Sequence, residues 1–100
     1  MVINVVDHVK QCYSNADGDI IFNLVKKGFK KGEKIVVSFK GIDSTSTSFV
    51  NSAFIELINE YTFTHIRENL IFVESNRQIN EMIRRRFSFE VNERSTTLNV

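Results

Sequence analysis

Five consecutive hydroxyl residues form the densest group of modifiable side chains in this sequence. The group consists of Ser44, Thr45, Ser46, Thr47 and Ser48. Serine and threonine oxygens commonly cap helices by accepting hydrogen bonds from the first free backbone amides. The same hydroxyls can carry a phosphate, which a helix N-terminus accommodates because its amides and dipole favour negative charge. The segment therefore predicts either a plain helix cap at Thr47 or Ser48, or a phosphorylation switch.

Other residue patterns give little support for catalysis or metal binding. His8 and His65 each lack a second ligand at a metal-type spacing, and the sequence pairs neither with a nucleophile. The glycines match neither the dinucleotide-binding nor the P-loop spacing. Asp17, Asp19 and Asp43 are typical of turns and caps. We therefore expect no enzymatic activity, no metal and no cofactor.

Charge and cysteine content narrow the classes of partner. The chain has 13 basic and 12 acidic residues, a net charge of +1, which argues against a nucleic-acid or anionic membrane surface. The arginine run 84–86 is predicted to end a helix, where cations are favourable. Cys12, the single cysteine, is expected to be a core residue. Because no apolar run approaches the ~20 residues of a membrane span and no signal-peptide pattern is present, we expect a cytoplasmic protein.

The elements that must position the hydroxyl segment follow from hydrophobic periodicity. Short apolar runs predict strands at 2–6, 35–39 and 70–73. The second run is nearly continuous in hydrophobicity, which predicts a central strand covered on both faces. A weaker alternation over residues 87–91 predicts a short final edge strand.

Helical spacing of apolar residues predicts the connections between these strands. After a polar turn, Ile20 to Phe29 predict a helix that ends in lysines and is capped by Gly32. The clearest stripe predicts a second helix over 48–61. Its apolar members are Val50, Ala53, Phe54, Leu57, Ile58 and Tyr61.

A third helix is predicted to begin after Ser75 or Asn76, with Ser75 and Gln78 as a capping box. The resulting alternation of strands and helices predicts a single small α/β domain. We expect a mainly parallel or mixed sheet of about four strands with about three helices. The predicted domain spans residues 1–92, and residues 93–100 are predicted to be a flexible tail.

The order of these elements resembles a known family. The strand 35–39, the turn Lys40-Gly41-Ile42, the hydroxyl segment and Ser48-Phe49 at the helix start carry the resemblance, which extends over roughly residues 17–90. They are similar to the STAS-like domain family of unknown function, a relative of the bacterial anti-sigma-factor antagonists. The resemblance implies a STAS fold and a protein partner in place of a substrate.

The resemblance also implies particular site residues. An ATP-dependent serine kinase of the histidine-kinase-like ATPase fold phosphorylates the antagonists within an Asp-Ser-Ser/Thr-Gly motif. On this chain Ser46 stands at the aspartate, Thr47 at the first hydroxyl, Ser48 at the phosphorylated serine and Phe49 at the glycine. The chain thus lacks the acidic neighbour of the acceptor hydroxyl, and Phe49 makes the helix start bulkier and more anchored in the core.

The leading hypothesis is a non-enzymatic regulatory module that binds a protein, an anti-sigma-like ATPase or serine kinase, through the loop 43–49 and the second helix. Ser48 and Thr47 are the candidate phosphorylation residues. The predicted partner-binding residues are Asp43, Ser44, Thr45, Ser46, Asn51, Ser52 and Glu56. Two alternatives stay open: the same loop binds a small anionic ligand or nucleotide, or the chain assembles as a homo-oligomer through an edge strand.

Overall fold

The computed structural model describes residues 1–98, and side chains through residue 93. The described chain forms a small α/β domain with three strands and four α-helices, where the sequence predicted about four strands and three helices. The elements are β1 (Val2–Asn4), α1 (Asn15–Lys30), β2 (Ile35–Ser38), α2 (Thr47–Ala53), α3 (Phe63–Asn69), β3 (Leu70–Val73) and α4 (Arg77–Leu98). Short 3-10 helices occupy Val5–Asp7 and Ile55–Asn59. None of the described helices is both long enough and apolar enough to cross a membrane.

The sheet is parallel, with β2 between β1 and β3. Ile3, Val37 and Phe72 lie side by side on the face that packs against the core. The opposite face is largely open, since Val2 is 63% and Ile71 43% exposed. On β2 itself, Val36 is half-buried and Ser38 is 7% exposed, so the prediction that β2 is covered on both faces is confirmed only in part. Crossover connections between parallel strands are almost always right-handed. Here the connections from β1 to β2 and from β2 to β3 advance in the same direction across the sheet, so their helices lie on one face.

Helix α1 begins earlier than predicted and ends as predicted. The Ser14 hydroxyl accepts a hydrogen bond from Asp17 N at 3.1 Å, so the predicted polar turn forms the first turn of the helix. At the other end Gly32 has a φ of +73°. Glu33 N donates to Gly28 O at 3.1 Å, the bond of a Schellman cap. Gly32 is confirmed as the cap because few other residues adopt that φ without strain.

The predicted helix over 48–61 is interrupted. Helix α2 ends at Ala53, and the chain then tightens into the 3-10 helix Ile55–Asn59. This break lets the neighbouring side chains of Phe54 and Ile55 both be buried. On a straight helix, with 3.6 residues per turn, adjacent side chains point in directions about 100° apart.

A helix that the sequence did not predict, α3, follows this break. The hydroxyl of Thr62 caps it by accepting a hydrogen bond from His65 N at 3.1 Å. The helix leads directly into β3 at Leu70. The connection from β2 to β3 is therefore built from two seven-residue helices and a 3-10 helix.

The start of α4 differs from the predicted capping box. Asn76 Oδ1 accepts a hydrogen bond from Ile79 N at 3.0 Å, so Asn76 is the cap. Ser75 instead donates to Asn80 Oδ1 at 2.6 Å. Gln78, the predicted partner of Ser75, points to another part of the chain and binds Thr45.

Helix α4 continues through the predicted strand 87–91, so that strand prediction is wrong. Helical spacing prevails because Ile79, Ile83 and Phe87, four residues apart, are all buried. The arginines 84–86 consequently lie within the helix and do not end it. The helix extends to Leu98, and the last two residues of the predicted tail lie outside the described residues.

Helices α1 and α2 pack closely against each other where Gly18 faces the first turns of α2. A Cβ at Gly18 would lie 2.7 Å from Phe49 O and 2.7 Å from the Ser52 Cβ. The two helices can therefore approach this closely only because residue 18 has no side chain. This contact fixes the position of α2 against α1, and with it the position of the end of the hydroxyl segment.

Candidate functional site

The loop that contains the hydroxyl segment leaves the carboxyl end of β2 and reaches α2. Two other parts of the chain hold it in place. The segment Cys12-Tyr13 lies on one side and the start of α4 on the other. Ligand sites in open α/β folds commonly lie at this edge of the sheet.

Ser46 is the cap of α2, so the prediction that Thr47 or Ser48 forms the cap is wrong. The Ser46 hydroxyl accepts a hydrogen bond from Phe49 N at 3.1 Å and donates one to Tyr13 O at 2.7 Å. Its backbone N–H donates to Cys12 O at 2.9 Å. Ser46 thus uses its side chain and its amide to join α2 to the segment before α1.

Thr45 is 4% exposed and is held by a side-chain clamp from α4. Thr45 N donates to Gln78 Oε1 at 3.0 Å, and Gln78 Nε2 donates to Thr45 O at 3.0 Å. Asn76 Nδ2 adds a third bond, to Asp43 O at 2.7 Å. Thr45 was predicted to bind a partner, and its burial places that side chain inside the protein. Sequence reasoning missed Gln78 because nothing in its local pattern indicates a contact 33 residues away.

The remaining predicted residues of the loop line a polar cleft of about 210 Å³. Ser44 lies on its wall, where its hydroxyl is 2.8 Å from the phenol oxygen of Tyr13. Asp43 is exposed and lines the same cleft, together with Lys10. A carboxylate, an ammonium group and a phenol therefore face solvent next to the hydroxyl segment.

Thr47 and Ser48 lie at the exposed start of α2. The Thr47 hydroxyl donates to Met82 Sδ at 3.6 Å, a weak contact with an uncharged sulfur. The structure shows no hydrogen bond from the Ser48 hydroxyl to any described residue. Of the five hydroxyls in the segment, that of Ser48 is both accessible and uninvolved in holding the fold.

The predicted partner-binding residues beyond the loop separate into two kinds. Asn51 Oδ1 accepts a hydrogen bond from Arg86 Nε at 2.7 Å, and Ser52 donates to Asn15 Oδ1 at 2.9 Å. These two side chains link α2 to its neighbouring helices. Glu56 is exposed, with Oε2 accepting from Asn59 Nδ2 at 3.0 Å, and it can be reached by a partner.

Cys12 lies directly behind the loop, and it is buried as predicted. Burial raises the pKa of its thiol to about 12, and the nearby Asp17 carboxylate adds to the effect. A thiol is nucleophilic only as the thiolate. Cys12 therefore supports the loop without supplying a reactive group.

Comparison with known proteins gives a match to a family model. The family model described as STAS-like domain of unknown function (DUF4325) matches residues 17–80, a range that covers α1 from Asp17 onward, β2, the hydroxyl segment, α2 and β3. No curated protein and no solved structure matches the chain.

Proposed function

Because the chain belongs to the family of STAS-like domains, we propose that it is a regulatory module that binds a protein partner and is switched by phosphorylation of Ser48. The partner docks on the loop 43–49 and the exposed start of α2. The observation that supports this proposal is the state of the Ser48 hydroxyl. It is exposed on the first turn of α2, and it forms no hydrogen bond with any described residue.

The other hydroxyls of the segment are poorer candidates for the switch. Thr45 is buried, and Ser46 uses its oxygen for two hydrogen bonds. Ser44 contacts the Tyr13 phenol, so its modification would disturb the cleft wall. Thr47 is exposed and remains the second candidate after Ser48.

The two departures from the antagonist motif are compatible with this proposal. Ser46 stands at the motif's aspartate and caps the helix, a task for which serine and aspartate serve about equally well. Phe49 stands at the glycine and is fully buried, with its ring centroid 6.2 Å from that of Phe54. The loop is therefore anchored on both sides of the acceptor hydroxyl.

A phosphate on Ser48 would change the docking surface without opening the fold. It would add about 1.5 to 2 negative charges at neutral pH. Nearby, the polar cleft already presents Lys10 and Asp43 to solvent. A partner that reads this surface would experience a large change in charge, and we propose an anti-sigma-like ATPase or serine kinase as that partner.

The alternative of a small anionic ligand in the loop has less support. An anion nest requires backbone N–H groups that are free to donate. The N–H groups of Thr45, Ser46 and Phe49 already donate to Gln78, Cys12 and the Ser46 hydroxyl, respectively. Three amides of the loop are therefore unavailable to a small anion, which lends support to a surface for a protein.

The test compares Ser48→Asp with Thr64→Asp. Both residues are exposed and occupy the second position of a seven-residue α-helix, so the two variants add the same charge in matched settings. We expect both variants to unfold at about the wild-type temperature. Affinity capture from native cell extract should recover an ATPase or kinase with wild type and Thr64→Asp, but not with Ser48→Asp.

Two results would contradict the proposal. Recovery of the same partners by wild type and Ser48→Asp would show that the hydroxyl segment serves only to cap the helix. Equal loss of partners by both variants would show a response to charge anywhere on the surface.

A further inference from the structure

A second concave site lies away from the hydroxyl segment, between α3, β3 and the middle of α4. Its volume is about 250 Å³. The residues that line it are Phe63, Ile66, Arg67, Leu70, Phe72, Arg84, Phe87 and Ser88. We call this site the arginine cleft.

The floor of the arginine cleft is apolar and aromatic. The rings of Phe63 and Phe87 lie 5.6 Å apart at a tilted angle of 49°. Phe63 and Phe72 remain partly exposed within the cleft. Partly exposed rings of this kind bind another ring through edge and offset contacts.

Two guanidinium groups stand on the rim of this apolar floor. Arg67 lies over the Phe63 ring, with its Cζ 5.9 Å from the ring centroid. Arg84 reaches the cleft from α4 and is exposed. Within the described residues, neither arginine forms a salt bridge.

The lack of a carboxylate partner at Arg84 contrasts with other arginines of the same helix. Arg77 pairs with Glu81 at 3.1 Å, and Arg86 pairs with Glu90 at 3.0 Å, each four residues later. The residue four positions after Arg84 is Ser88, which also lines the cleft. The cleft wall thus presents a charged donor and a hydroxyl, whereas Arg77 and Arg86 are paired with carboxylates. Arg85 also lacks a salt bridge among the described residues, but it does not line the cleft.

We propose that the arginine cleft binds a small organic carboxylate with an aromatic body. The ring would occupy the apolar floor, and the carboxylate would accept charge-assisted hydrogen bonds from Arg84 and Arg67. The volume is slightly below the ~300 Å³ at which drug-sized pockets begin, so the occupant is a small molecule. This site is independent of the proposed protein-binding function, because none of its lining residues belongs to the hydroxyl segment.

The experiment titrates the full chain with 3-phenylpropanoate, 3-phenylpropan-1-ol and acetate. 3-Phenylpropan-1-ol has the aromatic body of the acid without its negative charge. Acetate has the carboxylate without the aromatic body. Amide chemical shifts in a ¹⁵N–¹H spectrum locate the binding, and their concentration dependence gives the dissociation constant. We expect a constant on the order of 1 mM for the acid, with shifts at residues 63–72 and 84–88.

Three variants assign the charge to its source. Arg84→Gln and Arg67→Gln should each weaken binding of the acid by about tenfold. Arg85→Gln is the matched control, because Arg85 is exposed on the same turn and does not line the cleft. It should bind as wild type does.

The proposal fails if the alcohol binds as tightly as the acid, because the arginines would then contribute nothing. It also fails if acetate binds as tightly as the acid, if Arg85→Gln matches Arg84→Gln, or if the shifts fall outside the cleft. The partner-capture experiment does not depend on any of these results.

Discussion

The hydroxyl segment and the arginine cleft differ in how their polar groups are satisfied. In the segment, Thr45 N and O are both bound by Gln78, and the Ser46 hydroxyl forms two hydrogen bonds. In the cleft, Arg67 and Arg84 stand beside an apolar floor without a carboxylate partner among the described residues. A dense run of polar residues in the sequence can therefore be mostly structural, whereas scattered residues can leave strong donors available.

Polar groups therefore have two uses in this protein: some hold the fold together, and others are available to bind a partner. A hydrogen bond to a neighbouring element holds the backbone in place and leaves nothing for a partner. The Thr45 hydroxyl also has no hydrogen-bond partner among the described residues, but it is buried. Ser48 is the exposed exception within the segment, which is why the proposed switch rests on one residue and not on five. If the segment is held more firmly than the cleft, substitutions that loosen the segment should lower the unfolding free energy more than substitutions in the cleft.

The largest effect is expected where α2 is seated on α1. Gly18→Ala would place a Cβ 2.7 Å from Phe49 O and the Ser52 Cβ. Alanine ordinarily stabilises a helix relative to glycine by roughly 0.5 to 1 kcal/mol, but displacing α2 should reverse the sign. We expect a net loss of about 2 to 3 kcal/mol in unfolding free energy, measured by urea denaturation.

The control is Asn23→Ala, an exposed position of the same helix. Its unfolding free energy should stay within about 0.5 kcal/mol of wild type. A Gly18→Ala protein as stable as this control would show that the two helices can separate without cost, and that the segment is not rigidly seated.

An intermediate effect is expected at the clamp. Gln78→Ala removes both side-chain bonds to Thr45 and leaves a buried amide and carbonyl unpaired. We expect the unfolding free energy to fall by about 1 to 2 kcal/mol. Arg84→Ala, on the same helix, should change it by less than about 0.5 kcal/mol, because its guanidinium holds no other element. Equal losses for the two variants in urea denaturation would remove the distinction between the regions.

The smallest effect is expected from alkaline pH. The thiol of Cys12 has a pKa of about 12 in the folded protein, because burial raises it from the 9.0 of an exposed thiol. Its contribution is fully present below pH 9 and is lost as pH rises toward 12, because the unfolded chain releases the proton first. By pH 10 we expect Cys12 to lower the unfolding free energy by about 1 kcal/mol.

The comparison with Cys12→Ala isolates this effect from the titration of lysines and tyrosines. The difference in unfolding free energy between wild type and variant should be constant below pH 8. Above pH 9 the wild type should lose its advantage steadily. A difference that does not change with pH would mean that the thiol is not buried behind the segment in solution.

Much of the fold follows from local patterns. The central position of β2 was predicted from its continuous apolar run, and the end of α1 was predicted from Gly32. The burial of Cys12 followed from its being a lone cysteine without an activating base nearby. These features depend on a few neighbouring residues, so a local reading captures them.

The features that were missed depend on distant parts of the chain. The break after Ala53 buries Phe54 against Phe39 and Phe72, with ring centroids 6.3 and 5.0 Å away. The apolar stripe does not reveal this, since each of its residues also fits a longer helix. Gln78 likewise fits a capping box with Ser75 by its local spacing. Its actual partner, Thr45, lies 33 positions earlier in the chain, and local spacing does not reveal it.

The loop that carries the candidate site follows β2 as predicted, but most of the contacts that hold this loop were not foreseen. The exposure of Ser48 agrees with its predicted role, which only a partner experiment can test. The arginine cleft was not predicted at all. Its two arginines, Arg67 and Arg84, are 17 positions apart in the sequence (84 − 67). They come together only through the packing of α3 and α4 beside β3.

The parallel arrangement of the three strands has a consequence for the order of folding. Val2 pairs with Val36 and Ile35 with Leu70, separations of 34 and 35 residues (36 − 2 and 70 − 35). No sheet hydrogen bond can therefore form until a loop of that length has closed, at an entropic cost that local contacts do not incur. We expect α1 and α4 to form early and the sheet to form last, so that folding is slower than in a helical bundle of equal length.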